Sequence, residues 1–472
     1  MHPLQPSASP VSNHPHHKRN SACINVSLRH LNARNIALTA ETARMTLKWI
    51  VIVLTVLGAG AGTYAWIGAA DVGQGRFFAD QSYHFQTLRA LTDIAADGAD
   101  TSEVLETIKH IRSGDAQGWF AAWTATADRV SARAETIKDP LGRGRALLRA
   151  HNYYRTAEFF LPPDDPKRPS AAGKNRRAFY AGLDALGVRY QRIVVPYGEA
   201  HHLDAVYYPA ADGPSKKRSL IVFGGGFDST IEELYFALVK DANEHGYDVL
   251  TYDGPGQGAM LREQGLTFTH EWEKPVRAVI DSFLGGHPRP AKMVLVGMSM
   301  GGYFAPRAAA FDQRFDGVAA YDVMFDAGQS ATRFVPPAVT WLRAHGLGAA
   351  VDLMVRLKAA WSPGFRWAIA SGMWTLGTKH PLDSAIELRK YTLDGVAPRI
   401  TADLLILAGT EDHFVPIEQV TQFEKALTGA RSITTRVYDR ASGGAEHCQL
   451  GAQTLWHADF FDWMDAKFEA DS

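Results

Sequence analysis

From residue 190 onward, short runs rich in β-branched residues alternate with helix-length segments, and that alternation admits few folds. Residues 192–196 and 203–209 read as a hairpin. Further strands are predicted at 219–223, 247–252, 293–296, 317–321, 404–408 and 433–438. Helices are predicted at 231–245 and 272–284, after Ser299, and over 451–467. Strands alternating with helices build a mostly parallel sheet covered on both faces, the α/β class. The stretch 327–396 interrupts the alternation; it is helical and holds Trp341, Trp361, Trp367 and Trp374, so it reads as an inserted cap. The core is then 190–326 together with 397–472.

The chemistry of such a sheet belongs to the loops that follow its strands. Gly297-Met298-Ser299-Met300-Gly301 lies between a predicted strand and a predicted helix. This is the pattern of a nucleophile elbow, in which small residues admit a turn too tight for a Cβ and the serine is lifted above the sheet. The five-residue pattern arises by chance; the strand before it and the helix after it make it specific. A serine hydroxyl needs a base to take its proton, and the base needs an acid to orient it. In the chain order serine, acid, histidine, the acid is expected after the penultimate strand and the base after the last. Asp412 and His447 occupy those places, with Glu411 and His413 as the neighbouring alternatives. The oxyanion formed on attack needs two backbone N–H donors. Met300 is expected to supply one, and Gly226 or Phe227, in the run Gly224-Gly225-Gly226-Phe227-Asp228, the other. That run lacks the ending of a phosphate loop. The turn Asp253-Gly254-Pro255-Gly256-Gln257-Gly258 is read as structural, and Cys448 as packing.

Ahead of the sheet, 75–188 carries apolar residues at helical spacing and reads as four or five helices. Asp139-Pro140 is taken as a break, a new helix is placed from Arg149 to the stop at Pro162-Pro163, and the last covers about 171–186. Residues 1–48 form a polar, basic tail with no apolar period and are expected to be disordered. Residues 49–70 carry no charge, a run long enough to span a bilayer. Lys18, Arg19, Arg29, Arg34, Arg44 and Lys48 precede that run, against the single acid Glu41, and Asp71, Asp80 and Asp93 follow it. The expectation is a single-pass membrane protein with a cytoplasmic N-terminus and the large C-terminal part across the membrane. The alternative is a cleaved signal peptide starting at Met45, which would leave a secreted or periplasmic protein.

At residues 120–470 the chain resembles the α/β-hydrolases. Within them it resembles the 2,6-dihydroxypseudooxynicotine hydrolase group, with its fungal polyketide-shortening hydrolases and its esterase-like fermentation/respiration switch proteins. The resemblance rests on His151–Leu161, Gly225–Glu233, Asp253–Gly258, Gly297–Gly302 and the loops around Asp412 and His447. It implies hydrolysis of a C–C bond next to a ketone, or of an ester, without a cofactor, and helices ahead of the sheet that cover the active site. The C–C hydrolase of that group adds a glutamate to its triad; here the nearest acids are Asp322 and Asp326.

The sequence thus predicts a serine hydrolase acting on a medium-sized, largely uncharged and apolar, aromatic or polyketide-like carbonyl compound. Tyr153, Tyr154, Met298 and Trp341 are expected to line its pocket, with few charges. The competing readings are a carboxylesterase or acyl-peptidase-like hydrolase, and a non-catalytic, membrane-anchored binding protein on the same fold. With 49 Lys+Arg against 50 Asp+Glu, a net charge of −1, no basic field exists to hold nucleic acid. Two cysteines cannot build a disulfide framework or a Cys-rich zinc site, and neither a metal nor a cofactor is expected. A homo-oligomer is allowed but not demanded.

Overall fold

The computed structural model describes residues 43–45, 47–48, 77–210, 219–332 and 335–468. The chain divides into two compact units, Met1–Ala65 and Trp66–Ser472, and every element named below belongs to the second.

Among the described residues of this unit, five α-helices precede the sheet: α1 (Gln81–Thr92), α2 (Thr101–Ile108), α3 (Ala116–Thr136), α4 (Pro140–Glu158) and α5 (Arg168–Leu186). Their shared core is aromatic, with Tyr83, Trp119, Trp123 and Phe160 buried together. Tyr83 stacks on Phe160 with ring centroids 4.2 Å apart, and the Trp119 indole N–H donates to the Thr156 carbonyl at 2.7 Å. The expected break at Asp139-Pro140 is instead the start of α4. Asp139 caps it, accepting from the Gly142 N–H at 2.7 Å, and Pro140 takes the first helical position, where a missing N–H costs nothing.

The sheet has eight strands: β1 (Gln191–Tyr197), β2 (His201–Tyr208), β3 (Leu220–Gly224), β4 (Asp248–Tyr252), β5 (Met293–Met298), β6 (Gly317–Tyr321), β7 (Asp403–Gly409) and β8 (Ser432–Tyr438). Their order is β1-β2-β4-β3-β5-β6-β7-β8. The β1–β2 hairpin joins antiparallel at one edge and the remaining pairs are parallel. Strands β3, β5, β6 and β7 are buried along their whole length, because helices cover both faces. One face packs on α8 (Glu273–Gly286) and α9 (Gly301–Phe311). The other packs on α5, on the helix that opens with a π-turn at Tyr235–Val239 and continues as α6 (Lys240–Glu244), and on the C-terminal helix Gln453–Phe468. A short helix not expected from the sequence, α7 (Gly258–Gln264), follows β4.

Between β6 and β7 the insertion folds as α10 (Ala327–Thr332), α11 (Pro337–Ala344), α12 (Gly348–Trp361), α13 (Pro363–Leu376) and α14 (Pro381–Leu388). It leaves and returns at one place, where Asp326 bridges Thr392. Gln419 pins that place: its side-chain oxygen accepts from the Phe325 and Asp326 N–H groups at 2.7 and 2.9 Å. Helix α15 (Glu418–Ala426) carries Gln419, and α16 (Gln453–Phe468) is the C-terminal helix.

The membrane-spanning placement is corrected here. Among the described residues no helix is long and apolar enough to cross a membrane. Residues 49–70 lie outside the described residues, and so does the tail read as disordered except for 43–45 and 47–48, which are helical rather than disordered.

The helical segment is tied to the sheet by buried charge. Glu233, on the segment after β3, accepts from Arg89 of α1 at 2.6 and 2.5 Å and from Arg155 of α4. Burial alone would raise the Glu233 pKa; the charges of Arg155 and Arg89 overcome it and hold the carboxyl at about 2. Removing one member of such a cluster strands the others without counter-charge. Glu233→Ala is therefore expected to cost about 3–5 kcal/mol at pH 7. The carboxylate's stabilisation is present above its unfolded pKa of 4.5 and lost as pH falls through about 2. The gap between wild type and variant in urea midpoints should accordingly close over that window.

Candidate active site

Ser299 stands at the end of β5 with a φ of 60°, in the left-handed region that costs a non-glycine residue conformational energy. Its backbone is held from two sides: its N–H donates to the Tyr321 carbonyl at 2.6 Å, and its carbonyl accepts from the Gly302 N–H at 2.8 Å. A Cβ on Gly297 would lie 1.9 Å from the Gly301 carbonyl oxygen, as the tight turn requires. At Gly301 the same atom would meet the Gly224 and Gly225 carbonyls at 3.2 Å, a tight contact rather than a collision. Gly302, outside the five-residue pattern, is more restrictive: its Cβ would lie 1.8 Å from the Asp322 carbonyl oxygen.

Three loops then converge. His447 Nε2 lies 2.8 Å from Ser299 Oγ, and His447 Nδ1 lies 2.6 Å from Asp412 Oδ2. The other Asp412 oxygen accepts from the Phe414 and Val415 N–H groups at 2.7 and 2.9 Å, which aims the carboxylate. His447 and Asp412 are both buried. Burial pulls the His447 pKa down, but the charge and hydrogen bond of Asp412 outweigh it and leave the imidazole well above its usual value. Burial raises Asp412 and the imidazolium lowers it, with a net shift downward. The neighbours are engaged elsewhere. Glu411 pairs with Arg440 at 2.8 Å, and His413 Nδ1 faces Gln81 Nε2 at 3.4 Å.

A second carboxylate stands behind the histidine. Asp322, at the end of β6, has Oδ2 3.9 Å from His447 Nδ1. It accepts from the Cys448 N–H at 2.9 Å and from Gln449 Nε2 at 2.8 Å. Burial, reinforced by the charge of Asp412, pushes its pKa up to about 7. Asp326, the other acid considered, instead binds at the root of the insertion. Asp322, His447 and buried Cys448 are also close enough together to suggest a metal site. Both ring nitrogens of that histidine are already directed at Asp412 and Ser299, which leaves no donor set open.

Of the proposed oxyanion donors, Gly226 is corrected: its N–H donates to Ser229 Oγ at 2.9 Å. The N–H groups of Met300 and Phe227 make no hydrogen bond among the described residues. Gly226 matters by its size, since a Cβ there would lie 2.6 Å from Ser299 Cβ. The loop is clamped by a residue read only as part of a structural turn. Gln257 Nε2 donates to the carbonyls of Gly225 and Gly226 at 2.8 and 2.7 Å. Its burial could not be read from a glycine-rich turn.

The expected pocket residues fall elsewhere. Tyr153 is fully buried in the helical core and donates to Glu103 at 2.7 Å; Tyr154 donates to Asp128 at 2.5 Å. Trp341 is 41% exposed and stacks on His345, and Trp361 is 76% exposed. Met298 packs into the core on one face of the sheet. Near the site lies a cleft of about 570 Å³, counting its mouth open to solvent, whose walls include Phe227, Trp367, Trp374, Arg155, Arg168 and Glu158. It lies between α4, the loop after β3 and the insertion, the region anticipated from the sequence, but it is far from uncharged. From α1, Phe85 approaches His447, with ring centroids 6.3 Å apart.

A mostly parallel eight-stranded sheet with a serine raised at the turn from β5 to α9 defines the α/β-hydrolase class. Residues 220–449 match the model of the alpha/beta hydrolase family. The chain is 31% identical to a hydrolase of Aspergillus aculeatus, the alignment covering 84% of this chain and 98% of that one. It is 29% identical to the 20-hydroxy-prefusarin hydrolase of Gibberella moniliformis, over 83% and 98%. In fold it is similar to the crystal structure of the 2,6-dihydroxy-pseudo-oxynicotine hydrolase, with a TM-score of 0.62, 19% identity, and coverage of 80% of this chain and 95% of that one. The chain belongs to the alpha/beta hydrolase family and is a hydrolase.

The two glycines that flank the turn after Ser299 separate crowding from pattern. Gly302→Ala is expected to lower the melting temperature sharply or to prevent soluble expression, whereas Gly301→Ala should fold with a modest loss. Circular-dichroism melts of the pair check this.

Proposed function

We propose that this hydrolase is a serine enzyme that cleaves at a carbonyl carbon, either a C–C bond next to a ketone or an ester, in an aromatic or polyketide-like substrate. The observation that carries the reading is the continuous chain from Ser299 Oγ through His447 to Asp412, at 2.8 and 2.6 Å. In this reaction Ser299 Oγ attacks the carbonyl and His447 Nε2 takes its proton, while Asp412 holds the imidazole in place and stabilises the imidazolium. The N–H groups of Met300 and Phe227 receive the oxyanion. His447 then returns the proton to the leaving group, and water, activated by the same histidine, releases the acyl group from Ser299.

An ester asks no more than this. A β-diketone loses a carbon leaving group: the C–C bond breaks, its electron pair forms an enolate, and the proton from His447 completes the ketone. Asp322 supports this second demand, because a carboxylate 3.9 Å from Nδ1 steadies the imidazolium until the proton is delivered. The name of one relative, a 20-hydroxy-prefusarin hydrolase, supports a small-molecule substrate.

Ser299→Ala is expected to fold normally and lose turnover by roughly 10⁴–10⁶ in kcat; retention of wild-type turnover would rule out the assignment. Matched aryl esters and β-diketones give the second test, since turnover of esters alone removes the C–C reading. Asp322→Asn removes a negative charge that Asp322 carries only above about pH 7. The kcat/KM profile of the variant should therefore depart from that of the wild type above that pH and join it below; identical profiles throughout contradict the role given to Asp322.

A further inference from the structure

The cleft beside the site carries more charge than its fold requires. Arg89, Arg155, Arg168 and Arg262 line it, with Glu158 and Asp228. Glu233, behind them, receives Arg89 and Arg155; Asp228 receives Arg89; Glu158 receives Arg262. Arg89, Arg155 and Arg262 are thus ion-paired, whereas Arg168 makes no ion pair among the described residues and lies only in the field of Glu158 and Asp165. Asp93, buried nearby, is mostly protonated at neutral pH, because burial pushes its pKa up to about 8.

Two donors in this cluster are unspent. Arg155 is 6% exposed, and its Nη1 has no hydrogen-bond partner among the described residues. Arg168 gives Nη1 to the carbonyls of Glu158 and Leu161, while its buried Nε has no partner. A buried guanidinium N–H without an acceptor costs free energy; both atoms are closed to solvent, so an arriving anion would recover that cost once the guanidinium groups turn towards the cleft. Between the donors are flat apolar walls. Trp367 stacks on Phe159 with centroids 4.5 Å apart, and the Arg168 guanidinium lies 5.1 Å over the Trp374 ring. Phe227 joins cleft and site: it is a wall of the cleft, and its neighbour Gly226 touches Ser299.

We propose that this cleft is an anion subsite, in which Arg155 and Arg168 hold a delocalised oxyanion of the substrate, a carboxylate or an ionised 1,3-dicarbonyl, while the tryptophans hold its apolar frame. The proposal rests on the serine-hydrolase reading only in placing the reacting carbonyl at Ser299; the recognition of the anion is separable from catalysis. It replaces the sequence-based expectation of an uncharged ligand.

The test is binding to the Ser299→Ala protein at pH 7, measured by calorimetry with 3-phenylpropionate, with the enolate of 5-phenyl-1,3-cyclohexanedione, which is ionised at that pH, and with the neutral 3-phenylpropionamide. A hydrogen-bonded charge in such a site corresponds to roughly 10- to 100-fold in affinity. At least one anion should therefore bind about that much tighter than the amide, and which one does so distinguishes a carboxylate from a dicarbonyl substrate. Arg168→Gln should reduce the preference at least several-fold. Arg168 hydrogen-bonds only to carbonyls among the described residues, so this change strands no carboxylate. Arg155→Gln should reduce the preference further, but it also disturbs Glu233, so its melting temperature is measured alongside. Equal affinity for anion and amide, no binding of any of the three, or a preference untouched in Arg168→Gln would overturn the proposal. Turnover of a neutral aryl ester by the wild type reports separately on the serine-hydrolase reading.

Discussion

At Gly297 the backbone has no room for a methyl group, and the site is built around that lack of space. The carbonyl of Gly301 occupies the volume, 1.9 Å from where a Cβ would stand. The chain can therefore reverse from β5 into α9 within a few residues. Ser299, forced to a φ of 60°, is lifted from the sheet towards His447. The cost of that backbone state is met by the neighbouring parallel strand: β6 supplies the carbonyl that takes the Ser299 N–H and, one residue on, Asp322. The elbow and the second carboxylate are consequences of one register between β5 and β6.

The helices ahead of the sheet are part of this construction. Arg89 and Arg155 reach from α1 and α4 to Glu233, a few residues beyond the loop that carries Phe227. Gln257 grips the same loop from the turn after β4. The loop offered to the substrate is thus fixed from both sides by buried polar contacts, which hold a geometry more specifically than apolar packing does. The same arginines leave charge at the wall of the cleft, so the tether and the proposed anion subsite share Arg155.

Much of this was legible in the sequence, because strand–helix alternation and chain order are local signals. The eight strands, the elbow, and the places of Asp412 and His447 follow from them. What was not legible depends on depth and direction. Nothing in the run His151–Leu161 distinguishes Tyr153, which points into the aromatic core, from Arg155 two residues on, which lines the cleft. Trp341 and Trp361 look like Trp367 and Trp374 as letters, but only the latter pair, on α13, line the cleft. The Gly226 N–H is lost as an oxyanion donor to a hydroxyl three residues away, a hydrogen bond no spacing rule reports.

The central claim is that Ser299, activated by His447 and Asp412, is the nucleophile. Reaction of the full chain with a fluorophosphonate, followed by intact-mass analysis and peptide mapping, tests it most directly. The account expects one adduct per chain, on the peptide containing Gly297–Gly301, abolished by Ser299→Ala and slowed by orders of magnitude in His447→Ala. An adduct on another residue, or an unreactive wild type that is folded, would contradict it.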